Sequence, residues 1–276
     1  MLFGSYLKNQ EFITNIMELL TLTPSIPNTN PLSLLLAILA GVMAGILINY
    51  FADVLPVSRR LTRPTCPKCR QLIPLKNYLF NYRCPSCGNK KSARSLMVLI
   101  LSILSSILLR LFPFATLGFW ASLPLLVFLG VILVIDVEHR LVLIETSLVG
   151  VALCLVYGLL LRGLGKTLLG ALAGFAVMLL FYLLGIAFSK LMAKLRGKEV
   201  SEVAFGFGDV MAGTFLGLLA GWPGIAGGVL IAVFAFGAFS LILLVGLFLS
   251  KRYRAFANAQ PFTPFLILGV IMIYYL

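Results

Sequence analysis

The sequence predicts an all-α polytopic membrane protein with about eight transmembrane helices and one small polar insert carrying paired cysteines. The first sign is composition: 61% of residues are hydrophobic and 11% charged, with a mean hydropathy of +1.06, whereas soluble domains carry roughly 25% charged residues. The second is the recurrence of apolar runs of span length. The third is that basic residues gather in the connections between those runs. A chain of 276 residues can form one membrane domain of several helices and one small insert, but has no room for a large soluble domain.

Residues 1–31 form a mixed N-terminal segment closed by TPSIPNTNP, without the basic stretch and cleavage site of a removable signal peptide. LSLLLAILAGVMAGILINYF, residues 32–51, is the first predicted span, long enough for a hydrocarbon core of ~30 Å. Residues 52–95 form the polar insert, and 96–276 the rest of the membrane domain. Within the latter, apolar runs cover 96–112, 118–135, 141–161, 168–189, 209–221, 225–249 and 263–276. The sixth and eighth runs are short, a length also found in re-entrant segments or helices tucked against neighbours. Gly170, Ala171, Ala173 and Gly174, and again Gly227, Gly228, Gly237 and Ala238, suit close helix packing. Cys154, in mid-span, reads as a packing residue.

The net charge of +13 raises the question of nucleic acid, and the placement of the charge answers it. Threading eight spans with the N-terminus outside puts 52–95, 136–140, 190–208 and 250–262 in the cytoplasm, with 18 of the 22 Lys and Arg. Short basic loops stay on the cytoplasmic side, so the surplus reads as a topology signal and no nucleic-acid partner is predicted. Basic residues at 190–200 could also attract anionic lipid headgroups of the bilayer.

Four of the five cysteines occur as CPKC at 66–69 and CPSC at 84–87, separated by 14 residues. A CxxC turn brings two thiolates to one ion, and two such turns supply Cys66, Cys69, Cys84 and Cys87 as the four soft ligands of a closed zinc site. A redox pair is the alternative, and a reducing cytoplasm disfavours a disulfide. An insert of this size builds little core, so a structural zinc would act as its staple.

Acidic residues number nine, and two of them stand at span edges. Asp136 ends LGVILVID and Asp209 begins DVMAGTFLGLLAG, both at the cytoplasmic edge in this threading. Boundary carboxylates can simply be solvated, but two at one level on different helices could form a pair. Like charges a few Å apart share one proton. The ionised member can then draw a proton from water while the protonated one polarises a carbonyl, which is the chemistry of an aspartic peptidase dyad. In GFGD, Gly206 and Gly208 allow unusual φ and close backbone approach, as a loop that holds an extended substrate requires; they could equally break the chain before a helix. Phe207 between them would touch substrate or anchor the loop in lipid. His139 reads as a solvated loop residue, and Glu145, inside the fourth run, as lining an aqueous cavity.

Taken together, these segments resemble the prepilin peptidases, or type IV leader peptidases, among the GxGD membrane aspartic proteases. AGILINYFADVLP at 44–56 is similar to the family's GSFLN segment, with Ile46 in place of serine and Asn49 kept. CPKCRQLIPLKNYLFNYRCPSCG resembles its two-knuckle cytoplasmic insert. IDVEHRLV and GFGD resemble its two aspartate motifs, and QPFTPFLILG at 260–269 its PFGPFLALG. The resemblance implies that Asp136 and Asp209 are catalytic, that Cys66, Cys69, Cys84 and Cys87 bind metal, and that the substrate is a type IV prepilin or pseudopilin. Its short basic leader would be cut after a glycine at the cytoplasmic face of the bacterial inner membrane. The resemblance also implies methylation of the new N-terminus with S-adenosylmethionine in bifunctional members. Here, however, Arg94 is kept without the glutamate that often follows, and Ile144 and Glu145 replace a common proline and aspartate. No glycine-rich loop after a strand offers a place for the methyl donor.

Two other classes fit parts of the pattern. A transporter would carry acids near mid-bilayer and paired half-helices in repeated halves, neither of which stands out. A catalytically degenerate zinc-dependent scaffold for pilus assembly would keep the insert without needing the dyad.

Overall fold

The computed structural model describes residues 30–275 except 67, 75–76, 79–83, 89–92, 115–116, 197–205 and 250–259. Most of the predicted N-terminal segment 1–31, part of the insert and the basic stretches 197–205 and 250–259 therefore lie outside the described residues. Those described form eight helices: α1 (Pro31–Ser58), α2 (Ala93–Leu111), α3 (Phe119–His139), α4 (Ile144–Arg162), α5 (Leu164–Arg196), α6 (Phe207–Ala220), α7 (Gly224–Leu249) and α8 (Thr263–Tyr275). Among them the only β pairing is an isolated bridge between Thr65 and Leu72.

Six helices are long and apolar enough to cross a membrane, namely α1 to α5 and α7. The predicted count of eight also took in α6 and α8, which have 14 and 13 residues. At 1.5 Å per residue they reach only about 20 Å, short of a ~30 Å core.

The chain divides into two compact units, Met1–Val131 and Ile132–Leu276. In the first, α1 starts with proline in its first turn and ends at Arg59, whose left-handed conformation (φ 51°) lets its N–H bond Leu55 O. The prediction ended this helix at Phe51, where charge enters the sequence, but it continues to Ser58. Asp53 does not stop it, because the carboxylate pairs with Arg94 at the start of α2 and accepts the Tyr78 hydroxyl from the insert. The insert's helical boundaries therefore differ from 52–95 at both ends, since α2 begins at Ala93. The α1–α2 contact is polar where it is closest. Ser102 and Ser106 hydroxyls donate to Gly41 O (3.0 Å) and Ala37 O (2.8 Å), and Asn49 Nδ2 donates to Ser95 O (3.0 Å). In an apolar solvent such bonds and small residues hold helices together where hydrophobic burial cannot.

In the second unit α6 is the central element. It packs against α4, α5, α7 and α8, and its residues Val210, Ala212, Gly213 and 215–220 are all buried. The approach of α5 is tight: a Cβ on Gly174 would stand 2.1 Å from Gly213 O, so the two backbones touch. Gly170 and Gly228 sit at close contacts as the small-residue pattern predicts, but Gly237 has no atom within 4 Å of its would-be Cβ. Cys154 is fully buried in α4.

Candidate active site

Asp136 lies one turn from the end of α3. The helix stops at Arg140, which adopts φ 53° and returns its N–H to Asp136 O at 2.8 Å. The chain then runs through Leu141 to Leu143 before α4 begins. This turn brings Val142 against Gly208, where an added Cβ would lie 2.8 Å from Val142 Cβ.

Asp209 is the third residue of α6. Gly206 is the N-cap, with ordinary φ of −85°, and its backbone N–H donates to Asp209 Oδ2 at 3.0 Å. Of the two readings left open for Gly206 and Gly208, a substrate loop with unusual backbone angles or a break before a helix, the structure has the second: Phe207 and Gly208 are in the first helical turn, and neither glycine has positive φ. Asp209 caps this start, its carboxylate satisfying an N–H that would otherwise be unpaired. Close approach remains the requirement at Gly208. Phe207 is 49% exposed and packs edge-on against Tyr182, ring centroids 6.0 Å apart.

Asp136 and Asp209 both line a cavity of about 260 Å³, with Arg140, Val142, the Gly206–Gly208 stretch, Gln260 and Phe262. The volume is several times the ~30 Å³ share of a water. Asp136 is buried, 4% exposed, whereas Asp209 is half-buried. Two carboxyl groups from different helices thus line one space large enough to admit water. Such a pair can share a proton and act as acid and base.

Thr263 was not singled out in the sequence. It is fully buried at the start of α8, and its hydroxyl donates to Asp209 Oδ1 at 2.9 Å. The available signal was a hydroxyl at the head of the last apolar run, next to Pro264, which marks a helix start. Glu145 stands half-buried in the first turn of α4 and does not line this cavity. His139 is exposed at the end of α3.

The insert carries a second chemical centre. The sulfurs of Cys66, Cys69, Cys84 and Cys87 lie within 4.8 Å of one another, with Cys66–Cys87 at 3.6 Å and Cys69–Cys84 at 3.7 Å. A tetrahedron with ~2.3 Å zinc–sulfur bonds has edges of about 3.8 Å, so the donors are set for such an ion. These distances are far from the ~2.05 Å of a disulfide. The two turns are built alike. Arg70 and Gly88, each following the second cysteine, have φ of 55° and 66° and donate their N–H to Cys66 O and Cys84 O. The Cys69 backbone N–H leads in pushing the Cys66 thiol down to about 6, with Lys68 aiding and burial opposing. The N–H groups of Cys87 and Ser86 likewise lower Cys84. Such turns favour thiolate, the form that binds metal.

No curated protein and no solved structure matches the chain. Residues 123–242, which include Asp136 and Asp209, match the model of the type IV leader peptidase family. Over that segment, which is less than half of the chain, the protein is similar to the type IV leader peptidase family.

Proposed function

We propose that the protein is a multi-pass membrane aspartic endopeptidase that removes the short basic leader of type IV prepilins or pseudopilins, cutting after a glycine. The observation that supports this most is that Asp136 and Asp209, carried by different helices, line one cavity within the segment that matches the family. The ionised aspartate takes a proton from water as the water attacks the scissile carbonyl, and the protonated aspartate donates to the carbonyl oxygen. In this reading the site faces the cytoplasm, the side on which short basic connections such as the insert are retained, and the N-terminus lies outside. The setting is a bacterial inner membrane, where the leader is in water and the pilin helix in lipid.

The test is separate replacement of each acid. Asp136→Asn and Asp209→Asn should each lower leader removal from a prepilin by at least ~1,000-fold, the scale of losing one member of a catalytic unit. Near wild-type cleavage by either variant in folded protein would sink the reading.

The four cysteines hold a structural zinc in the same proposal, because their sulfur spacing fits a tetrahedral ion and their turns favour thiolate. Freshly purified reduced protein should contain close to one zinc per chain, and Cys66→Ser or Cys84→Ser should remove it. Less than about half an equivalent in the wild type would count against the site.

A further inference from the structure

The two aspartates are held differently. Both oxygens of Asp209 accept a hydrogen bond, Oδ1 from the Thr263 hydroxyl at 2.9 Å and Oδ2 from Gly206 N–H at 3.0 Å. Asp209 also stands in the first turn of α6, where the positive end of the helix favours negative charge. Asp136 has less support. It is 4% exposed, and its Oδ2 is buried without a hydrogen-bond partner.

A hydroxyl has a single proton to donate, and Thr263 gives it to Asp209 Oδ1, so it is not available to the unpartnered Oδ2 of Asp136. A carboxylate supplied with donors at both oxygens is favoured in its charged form, and a buried one lacking a donor is favoured in its neutral form.

Resting on the reading of these acids as a peptidase dyad, we propose that Thr263 is a positioning residue that holds Asp209 ionised and leaves the shared proton on Asp136. Asp209 is then the base. It takes a proton from water as the water oxygen bonds to the scissile carbonyl carbon. The carbonyl π pair moves to its oxygen, which receives the proton of Asp136. The step ends with a gem-diol, a protonated Asp209 and an ionised Asp136, so atoms and charge balance.

The test compares hydroxyl and non-hydroxyl side chains of matched size at 263 in the full-length protein. The substrate is a peptide with a basic leader, a glycine and an apolar helix. Thr263→Val and Thr263→Ala should lower kcat by roughly 10- to 100-fold, the worth of a hydrogen bond to a charged group. KM should stay within about twofold, because the lost contact is to the catalytic pair and not to substrate. Thr263→Ser should restore kcat to within about threefold of wild type. If the Val variant does not fold, the Ser and Ala pair still isolates the hydroxyl. Unchanged kcat in Ala, a Ser variant as slow as Ala, or a change confined to KM would each overturn the proposal. Should Asp136→Asn and Asp209→Asn be inactive while Thr263→Ala keeps full rate, only this inference fails. Should the wild type not cleave, or the aspartate variants remain active, the peptidase reading fails and this inference with it.

Discussion

Gly208 and Val142 are in direct backbone-level contact: a Cβ on Gly208 would meet Val142 Cβ at 2.8 Å and Val142 N at 3.3 Å. Through this contact the turn after α3, six residues from Asp136, bears on the first turn of α6, one residue from Asp209. Gly206 differs, since its nearest neighbour would be 3.8 Å away and its φ of −85° suits any residue. Gly208→Ala should therefore lower leader cleavage about tenfold or more, the effect of overpacking by ~1–3 kcal/mol. Gly206→Ala should keep most of the activity. Adding Val142→Gly to Gly208→Ala, which removes the opposing Cβ, should recover part of the loss. Parallel kinetics of the three variants check it; equal loss at both glycines would refute a role specific to Gly208.

Asp53 and Arg94 join α1 to α2, and the Tyr78 hydroxyl donates to the same carboxylate. Burial, then the charge of Asp53, pushes that hydroxyl well above its ordinary range, so Tyr78 stays a donor. Asp53→Ala or Arg94→Ala should each destabilise by about 1–3 kcal/mol. Their double-mutant cycle should show a coupling of at least ~0.5 kcal/mol. Zinc content should be unchanged while protease cleavage within 59–92 increases. Additive single effects would mean that the pair contributes nothing jointly.

Gly174 tests the packing of α5 on α6. With Gly213 O only 2.1 Å from its would-be Cβ, Gly174→Ala must push the helices apart and should destabilise by roughly 1–3 kcal/mol. Gly237 has open space, and Gly237→Ala should be neutral or slightly stabilising, because alanine costs less entropy in a helix. Thermal unfolding in detergent compares the two.

The helices were legible because lipid demands long apolar runs, and GFGD and VILVID stand out against them as polar ends. The cysteine spacing was equally plain, since two CxxC turns have few other uses. What escaped was whatever depends on a distant partner. The first span read as ending at Phe51, yet α1 runs on past Asp53, whose charge Arg94 balances and which accepts the Tyr78 hydroxyl. The glycines before Asp209 suited a loop or a helix start alike, because the carboxylate that caps the helix from its third position can be credited only once the turn is formed. Thr263 carries no pattern of its own. Its importance comes from the fold bringing the start of α8 to a carboxylate 54 residues earlier.

The shortness of α6 separates two tasks that most spanning helices combine. A 14-residue helix covers about 21 Å and touches α4, α5, α7 and α8, so protein rather than lipid surrounds it. Mismatch with a thicker or thinner bilayer is met by the tilt of the long helices. Asp209 is positioned by the Gly174–Gly213 contact and by Thr263, which do not depend on acyl-chain length. The depth of Asp209 is thus measured against the protein's own frame, and a change of lipid alters how the molecule is seated more than the shape of the cavity that Asp136 and Asp209 line.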